Sequence, residues 1–124
     1  MSDLSSDIDA FQASMLRSLA SAHRLRILHL LGEGSWEVGE ISRELGLTQA
    51  ATSQHLGAMR RAGLLEATRD GRSVRYQVAD PQILAACALM RSVLVRRLSR
   101  LGDLAAAAHT STHEPVLSGQ EGHL

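Results

Sequence analysis

Apolar positions recur along this chain at two different periods, and the change of period marks out its elements. From about Asp7, the residues Ile8, Phe11, Met15, Leu16 and Leu19 fall at helical spacing, with Phe11, Met15 and Leu19 in one stripe. Residues 1–6 ahead of them are mostly polar and are expected to be flexible. Ser21 to Leu31 predicts a second helix, in which Leu25, Leu28 and Leu31, flanked by Ile27, form the broad apolar face of a central helix. Gly32 and Gly34 end it, and Ser35 to Val38 reads as a short extended link with Trp36 as a packing residue. A short helix over Val38 to Leu45 follows, closed by Gly46, where a left-handed backbone stops the helix. Leu47 then turns inward, and Thr48 can cap the next helix by accepting a bond from a free N–H of its first turn. Ala51, Leu56 and Met59 are spaced to face a core from that helix, which runs to Ala62.

After Gly63 the period becomes two. Val74, Tyr76 and Val78 alternate with Arg75 and Gln77, and Asp70-Gly71 ahead of them is a hairpin signal, since both residue types tolerate a positive φ. Asp80 caps the last helix and Pro81 suits its first turn. On it Ile83, Cys87, Met90, Leu94 and Leu101, joined by Leu84, Val93 and Leu98, make an apolar stripe about five turns long. One small domain rarely buries so much. The expected fold is mainly α with a small β-hairpin, dimerising through its first and last helices as a two-fold homodimer. Ala105 to Ala108 can extend the last helix. The expected organisation is a flexible N-terminus (1–6), one domain (7–108) and a flexible tail rich in Ser, Thr, Gly and His (109–124).

Composition narrows the class. A chain of 124 residues with 44% hydrophobic content can bury one core, and with one Phe, one Trp and one Tyr that core must be aliphatic. The formal net charge is zero, but the charge is unevenly placed. Arg60, Arg61, Arg69, Arg72 and Arg75 oppose only Glu66 and Asp70 between Thr48 and Val78, and Arg91, Arg96, Arg97 and Arg100 meet no acid between Pro81 and Leu101. Local charge sets where an anionic partner docks. Every basic residue is arginine, which makes planar, bidentate contacts to phosphate and guanine. The single cysteine, Cys87, excludes an intrachain disulfide, and no apolar run is long enough to span a membrane. A cytoplasmic protein with no membrane partner is expected.

The helix after Thr48 carries the candidate chemistry. Its leading end is short, polar and uncharged (Gln49, Ala50, Thr52, Ser53, Gln54, His55), which suits the DNA major groove, where short donors and acceptors meet base edges. The hairpin behind it carries Arg69, Arg72 and Arg75, placed to hold phosphates or the minor groove, with Arg60 and Arg61 able to touch the backbone. Helix, turn, helix and basic hairpin is the order of a winged helix-turn-helix. No nucleophile–base constellation, glycine-rich phosphate loop or paired carboxylates point to an enzyme.

With these elements assembled, the chain resembles the ArsR/SmtB family of bacterial winged-helix regulators. The resemblance covers roughly Leu16 to Leu101 and is carried by LASAHRLRILHLL, VGEISRELGLTQAATSQHLGAMRRAGLL and RDGRSVRYQVADP. It implies a homodimer on double-stranded operator DNA, commonly a repressor released by an inducer. It puts Ala50, Ser53 and Gln54 where members reach base edges, with Thr48, Gln49 and His55 as neighbours. Members that sense metal often carry a cysteine pair in the first helix of the DNA-reading motif; here that place reads Trp36-Glu37-Val38-Gly39. Others carry Asp-x-His at the start of the last helix and histidines near its end; here the start reads Asp80-Pro81-Gln82-Ile83, and the helix interior has no histidine. A zinc or nickel site needs three or four converging ligands, so neither common family site can be built and no cofactor is evident. The tail residues His109, His113 and His123 are the remaining candidates for nickel, cobalt or zinc. Other expected sources of control are a partner protein or a small-molecule effector. A rival from another class is a protein-interaction module that keeps the shape without binding DNA.

Overall fold

The computed structural model describes the backbone of residues 2–112 and the side chains of residues 3–108. The tail candidates His113 and His123, and the side chain of His109, lie outside the described residues. The elements are α1 (Ser2–Leu19), α2 (Ala22–Leu31), β1 (Trp36–Glu37), α3 (Val38–Leu45), α4 (Gln49–Arg61), β2 (Leu65–Asp70), β3 (Ser73–Val78) and α5 (Pro81–Thr112). The chain divides into two compact units, residues 1–86 and 87–124.

In the first unit, α1 starts at Ser2, so residues 2–6 of the N-terminal stretch are drawn into the helix. A helix already nucleated downstream extends at little cost, and Asp3 in the first turn complements its positive end. The buried arc of α2 is Ile27, Leu28, Leu30 and Leu31, whereas Leu25 is exposed. At helical spacing the half-buried Arg24 falls within that arc and Leu25 beyond its edge. A charged residue on the inner side hid the true face.

Ile41 of α3, Leu56 and Met59 of α4, and Leu64 and Leu65 complete the core with the α2 residues. Thr52, not Ala51, is the fully buried residue in the first turns of α4. Its hydroxyl donates to the Thr48 carbonyl at 2.8 Å, so it enters the core with its donor satisfied. The α3–α4 turn forms as its residues dictate. Gly46 adopts φ +67°, and its N–H and that of Leu47 both reach the Ser42 carbonyl. Thr48 Oγ1 accepts the Ala51 N–H at 3.1 Å.

The sheet has three antiparallel strands in the order β1-β3-β2, one more than the hairpin expected. The two residues of β1 are too short to display a period, and they pair Trp36 with Tyr76 and Glu37 with Arg75. Between β2 and β3, Asp70 pairs with Ser73, so the hairpin turn consists of Gly71 and Arg72. Gly71 supplies the positive φ, at +64°. The start of α5 belongs to this unit too: a Cβ built on Gly32 would lie 3.4 Å from a methyl of Leu84.

In the second unit α5 continues to Thr112, past the expected boundary at residue 108. Its apolar residues are open in the single chain: Met90 is 67% exposed, Leu94 53% and Leu101 52%. Among the described residues, no helix is long and apolar enough to cross a membrane.

Candidate nucleic-acid interface

The two sides of α4 differ in kind. Thr52, Leu56 and Met59 are buried, while Gln49, Ala50, Ser53 and Gln54 are exposed. Ala50, Ser53 and Gln54 stand at i, i+3 and i+4, the spacing that shares one helix face. Among the described residues the Ser53 hydroxyl and Gln54 amide have no intramolecular partner, so both face solvent ready to bond. Thr48, also exposed, already uses its hydroxyl as the helix cap.

His55 sits between this face and the core. Its Nδ1 accepts a hydrogen bond from Arg24 Nε at 3.1 Å, and its ring lies 5.7 Å from that of His23, tilted by 46°. Burial, then the Arg24 guanidinium, then His23 lower its pKa from the ordinary 6.5. An accepting Nδ1 means a neutral ring with its proton on Nε2. Arg24 also donates through Nη1 to the Ser18 carbonyl at 3.1 Å and the Ser18 hydroxyl at 3.3 Å. One guanidinium thus ties α1, α2 and α4 together. The sequence pattern missed Arg24 and Ser18: the contact to His55 spans 31 positions, and no local period announces it.

The hairpin arginines divide into two kinds. Arg69 and Arg72 are exposed, at the end of β2 and in the turn, and neither has a carboxylate partner among the described residues. Arg75, assigned to phosphate contact from sequence, is committed elsewhere. Its Nε donates to Ser35 Oγ at 3.0 Å, its Nη2 to the Ser35 carbonyl at 2.6 Å and its Nη1 to Glu37 Oε1 at 3.3 Å. Glu40 lies 3.7 Å from the same group and accepts the Glu37 N–H at 2.8 Å, closing the capping box of α3. Cross-strand pairing of Glu37 with Arg75 creates this arrangement, and β1 was not legible as a strand. Arg75 therefore clamps the wing to α3.

Arg60 and Arg61 are both exposed at the far end of α4. Arg61 lines a cavity with Arg17 and Arg24. Of the residues assigned to a dimer interface, Phe11 is 76% exposed, as open as the α5 stripe, whereas Met15, Leu19, Ile83 and Cys87 are half-buried. Met15 meets its own chain, since a Cβ built on Gly63 would lie 3.7 Å from Met15 Cε. Among the described residues, no group of three or more His, Cys, Asp or Glu side chains is gathered as a metal ion would need.

A polar-fronted helix held by a glycine turn, with a sheet whose hairpin carries unpaired arginines, defines a winged helix-turn-helix. Comparison with known proteins gives the same class. The family model for bacterial regulatory proteins of the arsR family matches residues 21–67. The HTH-type transcriptional regulator Rv0081 of Mycobacterium tuberculosis, itself uncharacterized, is 44% identical over 89 residues, which cover 71% of this chain and 78% of Rv0081. Its crystal structure matches with a TM-score of 0.69 at 40% identity, over 75% of this chain and 94% of that one. The solution structure of the homodimeric winged helix-turn-helix DNA-binding domain of Mb0332 from Mycobacterium bovis matches with a TM-score of 0.73 at 31% identity, over 79% and 91%. The M. tuberculosis cadmium sensor CmtR matches with a TM-score of 0.58 at 39% identity, over 66% and 85%. The chain belongs to the arsR family of bacterial regulatory proteins. It is a transcriptional regulator, not an enzyme.

Proposed function

We propose that this regulator grips operator DNA as a homodimer and represses transcription by occupying the promoter. The observation that carries this reading is the α4 face of Ala50, Ser53 and Gln54, exposed and unpartnered opposite the buried Thr52, Leu56 and Met59. Set in the major groove, Gln54 can pair with an adenine edge, Ser53 can bond either base type, and Ala50 can touch a thymine methyl. Gln49 and the Nε2–H of His55 reach phosphates or bases beside them. Arg69 and Arg72 hold the backbone or minor groove from the wing, and Arg60 and Arg61 add backbone charge. Exposed apolar side chains on α1 and α5 support dimerisation, as does the homodimeric Mb0332 domain. Chromosomal DNA as the target puts the protein in the cytoplasm.

The test is fluorescence anisotropy on the DNA upstream of the chain's own gene and its neighbours. Replacing Ser53 and Gln54 together by alanine should cut discrimination between specific and unrelated DNA by about 10-fold or more, since one good base pairing is worth about 1–3 kcal/mol. Unchanged affinity and specificity would remove the assigned readout. No DNA affinity at moderate salt would favour the protein-interaction alternative.

For the controlling signal, calorimetry with nickel, cobalt and zinc on the full chain and on a chain ending at residue 108 separates the sources. Saturable binding lost on truncation assigns sensing to His109, His113 and His123. Binding in neither leaves a small molecule or a partner protein as the effector.

A further inference from the structure

A cavity of about 370 Å³, open to solvent, lies between α1, α2 and α4. Arg17, Arg24 and Arg61 line it with Ser14 and Ser18, beside Ala58 of α4 and its C-cap Ala62. No carboxylate lines it, and none of the three guanidinium groups has an acidic partner among the described residues. Like charges gathered without a counter-charge repel, and an anion among them removes that cost. Guanidinium groups only donate, and the serine hydroxyls can donate as well, so the site complements an acceptor-only group, as a phosphate is.

We propose that this cavity is a binding site for a phosphate-type oxyanion, separate from the reading face of α4. Arg61 lies about 16 Å along α4 from Ala50, at about 1.5 Å per residue. The site is also wired to the reading helix. Arg24 lines the cavity while its Nε holds His55 Nδ1 and its Nη1 holds Ser18. An anion that engages Arg24 Nη2 competes for the orientation of one planar group, and so acts on His55. The phosphate can be that of a free anion or of the DNA backbone.

Calorimetry of the full chain with inorganic phosphate and with pyrophosphate, in a phosphate-free, low-salt buffer, tests the first source. It contains no DNA, so its result is independent of the operator reading. Saturable binding is expected, weakened about 10-fold or more by Arg17→Ala and by Arg61→Ala, each losing a charge-assisted pair. Both residues are exposed, and circular dichroism checks that the fold is kept. The His55 ring signals should shift on titration in the wild type. If neither probe binds but Arg17→Ala lowers the slope of log affinity for DNA against log salt by about one, the phosphate is the DNA's own and the oxyanion site stands. Binding equally strong in both variants, or no binding together with an unchanged slope, would overturn it.

Discussion

Arg72 and Arg75 stand three positions apart on the same hairpin and do different work. Arg75 makes three hydrogen bonds to the β1 region, two of them to Ser35. Arg75→Ala should lower unfolding stability by about 1–3 kcal/mol, mostly from the Ser35 bonds, because the ion pairs to Glu37 and Glu40 are partly solvated. Arg72→Ala should leave stability within about 0.5 kcal/mol and instead lower the salt slope of DNA binding by about one. Urea titration and anisotropy on both variants check the division; a destabilised Arg72→Ala with native Arg75→Ala would reverse it. His55 adds a pH dependence. Its folded pKa lies below the ordinary 6.5, so the unfolded chain takes up the proton more readily. The contribution is full above about pH 6.5, declines as pH falls, and levels off once both states are protonated. Urea unfolding between about pH 7.5 and 5 should show this slope, and His55→Gln should flatten it.

At the scale of elements, the α3–α4 unit was legible because its signals are local. Gly46, Thr48 and the apolar spacing of Leu56 and Met59 each act within a few residues, and the structure uses all of them. No heavy atom lies within 4 Å of a Cβ built at Gly46, so Gly46→Ala tests backbone conformation alone. At φ +67° it should cost about 1–2 kcal/mol in thermal or urea unfolding. An unaltered midpoint would mean that the turn adapts. What was not legible depends on distant partners. The β1 strand exists through pairing with Tyr76 and Arg75, about 40 positions on. Leu25 could not be separated from Leu28 by period alone, and Thr52 reads as polar until its bond to Thr48 is seen. In the candidate site, the outward Ser53 and Gln54 followed from helical spacing. The different role of Arg75 and the link from Arg24 to His55 required the fold.

At the scale of the whole molecule, the apolar side chains of α1 and α5 call for a covering partner. Phe11, Leu89, Met90, Leu94 and Leu101 are all more than half exposed in a single chain, and Leu4, Ile8 and Leu104 add to them. A single chain rarely leaves so many large apolar side chains open along one helix. Charge offers no other cover: Arg91, Arg96, Arg97 and Arg100 flank the α5 stripe, and α1 brings Asp3, Asp7 and Asp9. Those opposite signs favour a second copy over a repelling one. Two-fold DNA readers in general set two such helices on half-sites one helical turn apart, about 34 Å. Light scattering should therefore give twice the chain mass of 13.4 kDa. Leu94→Glu, at an exposed helical position, should shift it to the single mass while circular dichroism stays helical. DNA affinity should fall with it by orders of magnitude, because linked half-sites raise the effective concentration of the second to about millimolar. A monomeric wild type that binds DNA as tightly as the variant would mean that the stripe serves another partner.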